Sequence, residues 1–419
     1  MIEVDNALNI LSKIADGGEI YFTDTKSKKI EIKKGKIETL KETYSSGYSI
    51  RVIKNNRMGF TFSNELKEGI IEKALNVAKI AEEDKYLSFP EKQVYPNVKG
   101  LYDKSIRDID IIELKDFVEQ LIDPCKKNKV MPTSGSIAFY TSETRIWNTN
   151  GVKGEEKGTV VTCFLSTVAK NKESASGFYY DASRSLDLDF HKIGEEATRL
   201  AIDSLHAKRM GTKDVNLILK PQAVSELLEN VFIPSFSADN VQRNRSFLQG
   251  KLGHRLFSPI NIVDDGTLKS GLMSGKFDSE GVRMQKTPLV EKGILKGYLY
   301  DTYTANKGNT HSTGNADRNS YSTPVKIDST NFIISGEGGI GEGLVVHGLI
   351  GAHTANSVTG DFSTETRNAF LNGVPIKKAI ISGNIFDLLN RVEGVGKDYM
   401  QVSSLVSPSI EFSKVRVVG

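Results

Sequence analysis

Few residues of this chain are spaced for chemistry, and most of those spacings point elsewhere. It has six histidines. None is followed by Glu, so HExxH is absent, and no pair sits three to five residues apart in a helix that would turn both rings to one metal. His347 and His353 lie in a Gly-rich stretch and read as structural or surface residues. Gly336-Glu337-Gly338-Gly339-Ile340-Gly341 satisfies GxGxxG, yet the following EGLVVHGLIGAH is β-branched and Gly-broken. A dinucleotide site needs a helix there, with its N-terminus facing the pyrophosphate. Neither GxxxxGK[ST] nor GxSxG occurs.

Two acidic motifs stand before glycines, Asp264-Asp265-Gly266 and Asp278-Ser279-Glu280-Gly281. Paired carboxylates bind cations, act as acid and base, or accept peptide N–H groups. Asp before Gly at a strand end also makes a turn by accepting from its own backbone. Both readings stay open. Ser312-Thr313-Gly314-Asn315, flanked by Arg318 and Tyr321, suits either a peptide groove or a well-bonded loop. ELLENVFIPSF, residues 226 to 236, starts as a helix with Leu227, Leu228, Val231 and Phe232 on one face, then breaks at Pro234. Glu229 and Asn230 stand side by side just before the break.

The elements that must position these groups fall into two textures. Residues 1–211 read as an α+β domain of meander strands plus helices, divisible into lobes at about 1–86 and 108–211. Asp5 is placed to cap a first helix and Asn64 a second, with turns at Lys34-Gly35 and Asn55-Asn56. Residues 212–419 give short strand-like runs between Gly, Asn and Asp, predicting a mostly β domain with a curved or barrel-like sheet. Its few helices include the broken one within 226–236 and one over 383–391.

The totals narrow the classes. Lys plus Arg number 55 against 52 Asp plus Glu, a net charge of +3, which gives no reason for a nucleic-acid partner. Two cysteines, Cys125 and Cys163, cannot build a Cys-rich metal site and fit a reducing cytoplasm. No apolar run approaches the roughly 18 residues of a membrane span, so no membrane association is expected.

SFLQGKLG (246–253), VDDGT (263–267), FDSEGV (277–282), STGNADRNSY (312–321), GLVVHGLIGAHTANSVTGDFS (343–363) and FLNGVP (370–375) recur in an order that resembles the TldD/PmbA family of zinc-dependent peptidases. HTANSVTGDFS looks most like the PmbA branch, also called TldE. In the TldD branch a helix just upstream of the SFLQGKLG segment carries HExxxH, whose two His bind zinc while its Glu acts as general base. The resemblance places Glu229, Asn230 and Pro234 at those three positions.

An Asn cannot take a proton from a metal-bound water, and Pro234 has no side-chain ligand atom. An i, i+5 pair also lies about 140° apart on an ideal helix, so a working site needs a bulged turn that Pro234 opposes. The family's C-terminal cysteine ligand has no counterpart in VGKDYMQVSSLVSPSIEF.

The resemblance therefore implies a non-catalytic subunit without metal or other cofactor, paired with a TldD-type chain that carries the zinc, in cutting unfolded or modified peptides. Asp264, Asp265, Asp278, Glu280, Asn315 and His353 are its candidate peptide contacts. The alternatives are a peptidase with a rearranged site, using Glu229 with Asp239 or His254, and a homodimer that binds peptides without cutting them.

Overall fold

The computed structural model describes residues 2–419. Helix α1 (Val4–Ile14) leads into a meander of β1 (Gly17–Lys33), β2 (Lys36–Lys54) and β3 (Arg57–Ser63), followed by α2 (Glu68–Ile80). After α3 (Lys104–Asp108) and α4 (Ile111–Lys127), a second meander of β4 (Met131–Asn148), β5 (Lys153–Asn171) and β6 (Glu173–Ser183) ends in α5 (Phe190–Asp203). The two meanders join edge to edge through β1 and β4, giving one six-stranded antiparallel sheet in the order β3-β2-β1-β4-β5-β6.

The hairpin turns form where the sequence predicts them, with positive φ at Lys34, Gly35, Asn55 and Asn56. The helix starts differ. Glu3 is the N-cap of α1, and Asp5 lies inside its first turn, where its charge faces the helix dipole. α2 begins after Lys67 rather than at Asn64, and no side chain caps it. Asp110 and Glu113 form a reciprocal capping box on α4.

Alternation along the strands sends one face to the helices. Ile20, Ile50 and Val52 pack with Leu11, Ile71 and Ala74, while Ile137, Val161 and Leu165 pack with Leu121, Phe190 and Ala197. Each meander gives up a side chain where its helix comes closest. A Cβ on Gly59 of β3 would lie 1.9 Å from the Ala74 carbonyl oxygen of α2, and one on Gly177 of β6 would lie 2.0 Å from that of Ala197 in α5.

The second half opens with β7 (Lys213–Leu219), α6 (Pro221–Val231) and the short α7 (Ala238–Gln242). β7 pairs in parallel with Leu344–Ile350 and antiparallel with Ile410–Val418. Pairings through Ile380–Asn384 and Asp361–Leu371 return to Leu344–Ile350 and close a five-stranded barrel. A six-stranded sheet built around β8 (Asn261–Asp265) and β9 (Lys286–Glu291) stands beside it. The fold is thus mixed α+β with a barrel in the second half, as the strand texture predicts; the helix expected over 383–391 is confined to Ile385–Leu389.

Buried polar groups tie the two halves. Arg184 donates to the carbonyls of Gly271 (2.8 Å), Leu272 (2.7 Å) and Ser274 (2.7 Å). Arg51 on β2 bonds Glu19 on β1 through Nε (2.9 Å) and Glu280 through Nη1 (2.8 Å), and Arg318 reaches the same Glu19 carboxylate.

Candidate functional site

The broken helix forms one edge of a deep polar cleft. Phe232, fully buried, meets Phe236, Phe257 and Phe332 edge-on at centroid distances of 5.1, 5.5 and 6.1 Å. That anchor fixes the end of α6, and Ile233–Phe236 tightens into a single 3-10 turn. Glu229, Ile233 and Pro234 are thereby turned into a cleft of about 780 Å³. Its other walls come from Asp301, Tyr303 and Thr304, from Gly314 to Asp317, from Val325 to Thr330, and from Ser403 and Ser404.

Burial pushes the Glu229 carboxyl above its ordinary range, against hydrogen bonds from the Ser403 side chain and the Ser404 backbone that favour the charge. Asn230 is exposed and lies outside the cleft lining. The Pro234 carbonyl accepts from Asn240 Nδ2 at 2.8 Å. Asp239 lines the cleft but pairs with Arg243 at 2.8 Å. Lys326 bridges Asp328 (2.7 Å) and Asp317 (3.6 Å), and burial still pushes the Asp317 carboxyl up. Asp301 accepts from the Thr304 backbone at 2.8 Å; burial, then the nearby Glu280 charge, raises it as well. The walls therefore present oxygen acceptors and hydroxyls, with Lys326 and Arg243 as local counter-charges.

Of the six residues expected to touch peptide, the structure places Asn315 in the cleft wall. Asp264 sits directly behind it, 1% exposed, accepting from Asn315 Nδ2 (2.8 Å), the Thr330 backbone (2.8 Å) and Thr330 Oγ1 (2.6 Å). Burial pushes this carboxyl up to about 6.

Asp265 closes a turn by accepting from the Thr267 backbone (2.9 Å) and hydroxyl (2.7 Å). Asp278 accepts from the backbones of Glu280 (2.9 Å), Val282 (2.9 Å) and Ala316 (3.0 Å), and burial, with the Glu280 charge, raises it. Glu280 belongs to the ion cluster between the halves, bonding Arg51 (2.8 Å) and the Thr302 backbone (2.9 Å). His353 is exposed on the Ala352–Thr354 turn, outside the cleft lining.

Sequence reasoning missed Asp301, Asp317, Asp328, Ser403 and Ser404. They come from separate loops and carry no spacing that marks a common site. Asp328-Ser329-Thr330 was the available signal, a small polar run of the same kind as residues 312–315.

A zinc centre of the family's kind does not fit this donor set. The cleft lining contains no His and no Cys. Among the described residues no group of three His, Cys, Asp or Glu side chains is placed to hold a metal. His254 is exposed and outside the lining, and of Glu229, Asn230 and Pro234 only Glu229 brings a carboxylate to the cleft. No helix among the described residues is long and apolar enough to cross a membrane.

Comparison with known proteins bears on the same elements. Family models match domain 1 of PmbA/TldA metallopeptidases over residues 18–83, their central domain over 104–205 and their C-terminal domain over 212–419. The chain is 35% identical to an uncharacterized protein of Methanocaldococcus jannaschii, across 98% of this chain and 99% of that one. It is 24% identical to the metalloprotease PmbA of Escherichia coli O157:H7, across 99% and 95% of the two chains. The crystal structure of TldE from Thermococcus kodakarensis superimposes with a TM-score of 0.93 at 25% identity, covering 99% of both chains. The chain belongs to the PmbA/TldD metallopeptidase family.

Proposed function

We infer that this chain is the non-catalytic, TldE-like member of a paired peptidase. It holds extended peptide in its cleft, while a TldD-type chain supplies the zinc and the general base. The observation that carries the reading is the donor set at the broken helix: one carboxylate, Glu229, with Asn230 turned outward and Pro234 beside it. A cleft of about 780 Å³ walled by carboxylates, hydroxyls and Asn315 suits main-chain N–H groups of an extended segment. Both cysteines are free and buried, which suits a cytoplasmic setting.

The test combines metal content with activity. The purified chain, exposed to zinc and desalted, should hold well below one zinc per chain by elemental mass spectrometry. It should cleave unfolded peptides only after mixing with an HExxxH-bearing relative. Stoichiometric zinc lost in Glu229→Ala, or chelator-sensitive cleavage by the chain alone, overturns the reading in favour of a rearranged site using Glu229 and Asp239. Peptide binding without any gain of cleavage on mixing favours a peptide-binding protein that works without a catalytic partner.

A further inference from the structure

The first sheet has a second face. Ile30, Ile137 and Leu165 turn to the helices, so their strand neighbours Glu31, Ser136 and Phe164 turn the other way. These three pair in register across β1, β4 and β5, and Tyr180 on β6 completes the row. Ser134 and Ala138 flank Ser136 on the same face of β4, so that strand forms a low floor. Between Phe164 and the β1 side chains lies a trough of about 290 Å³.

The lining of the trough describes an occupant. Ser136 is 6% exposed, and its hydroxyl has no hydrogen-bond partner. A buried hydroxyl left unpaired is destabilising until something bonds it. Phe164 is half-buried and forms a wall, its ring stacked on Phe178 at 5.9 Å. The rim charges cancel, since Lys29 pairs with Glu31 and Lys33 with Glu38, each at 2.7 Å. No net charge is left to select an ion. The space suits one large uncharged side chain with an aromatic body against Phe164 and a polar edge toward Ser136, which describes Trp or Tyr.

The trough is continuous with the cleft. β6 packs on Met400–Val402, the strand that leads into the Ser403-Ser404 wall. Burial, then the Asp181 and Glu229 charges, push the Tyr180 hydroxyl up to about 12, which sets that ring beside the cleft carboxylate. Arg367 of the second half lies over the Phe178 ring at 4.5 Å. From Tyr180 to Glu31 the row crosses three strand spacings, about 14 Å, the reach of about four extended residues.

We propose that the trough between Ser136 and Phe164 is an aromatic side-chain subsite, which takes a Trp or Tyr of the peptide whose neighbouring segment lies in the cleft. This use of the trough rests on the peptide-holding role proposed above. It deepens that role with a sequence preference, an aromatic residue about four positions beyond the cleft-bound segment.

Fluorescence anisotropy of the full chain tests it, with a fluorescein-labelled unstructured peptide of about twelve residues, roughly 40 Å when extended. The peptide carries one Trp, moved a position at a time, and is compared with the same peptide bearing Ala instead. Binding should be tightest with Trp at one or two neighbouring positions, and Ala there should weaken it about tenfold. Phe164→Ala removes the wall and Ser136→Leu fills the trough. Each should abolish the preference for Trp while binding the Ala peptide as the unmodified chain does. Circular dichroism and thermal unfolding establish that each variant is folded, and Phe164→Ala, at a half-buried position, is the milder change. Peptide binding with no preference for Trp at any position overturns the subsite and leaves the proposed function standing. So does a preference that survives both substitutions. Failure to bind any of the peptides counts against both.

Discussion

Arg318 donates to Glu19 across 299 positions of sequence, and both side chains are wholly buried. Glu19 also receives Arg51, which reaches on to Glu280, so one cluster joins the first sheet to the cleft-bearing half. Removing one member leaves an uncompensated buried charge. Arg318→Ala and Glu19→Ala are each expected to cost about 3–5 kcal/mol in denaturant unfolding. Burial alone would raise the Glu19 carboxyl, but the Arg318 and Arg51 guanidiniums hold it below its ordinary 4.5. A lowered carboxylate contributes stability that is present above 4.5 and lost as pH falls through its folded value. The acid limb of the stability curve should therefore be shallower in Glu19→Gln, where no carboxylate remains to titrate.

Gly59 and Gly177 hold equivalent places on the last strand of each meander, against the Ala74 and Ala197 carbonyls. Neither has the positive φ that would explain a glycine by backbone conformation. Gly59→Ala or Gly177→Ala must push helix from strand, and each is expected to cost about 3 kcal/mol. A change at an open glycine, Gly69→Ala, is the control, since nothing lies within 4 Å of the added Cβ. Thermal unfolding of the three variants checks this.

What was legible in the sequence was local. The Lys34-Gly35 and Asn55-Asn56 turns declare themselves because Gly and Asn tolerate positive φ, and strand alternation follows from burying one face. Barrel closure was legible only as a texture, because the parallel pairing of β7 with Leu344–Ile350 joins segments whose sequences say nothing of each other. The same limit governs the site. Asp278 reads equally as a turn former or a peptide contact until the Ala316 backbone, 38 residues away, is seen donating to it. Asn315 was found because its neighbours are small and polar; Ser403 and Ser404 meet Glu229 only through folding.

Asp264 gives the cleft wall a pH dependence of the opposite sign to Glu19. Its carboxyl is raised from 3.8 to about 6 by burial behind Asn315 and Thr330. The stability it contributes is fully present below 3.8 and lost as pH rises through about 6, an effect on the order of 3 kcal/mol. Asp264→Asn cannot titrate, so its unfolding free energy should change less between pH 4 and 7 than that of the unmodified chain. The comparison is one of slopes, because Asn also alters the bonds to Thr330. An unchanged slope would mean that Asp264 is ionised throughout.

Glu229 combines the two concerns of fold and function. Burial raises its carboxyl even though Ser403 and Ser404 favour the charged form, so at neutral pH the ionised group opposes folding. Stability from this position is present below 4.5 and lost as pH rises through the folded value. Glu229→Gln, neutral at every pH and of the same shape, is expected to unfold at higher denaturant than the unmodified chain at pH 7. The gap should close toward pH 4. The same variant, mixed with an HExxxH-bearing chain, should leave the rate of peptide cleavage within about twofold, because a non-catalytic subunit asks no proton transfer of this group. A gain in stability accompanied by loss of cleavage would instead identify Glu229 as a group whose burial is retained for chemistry.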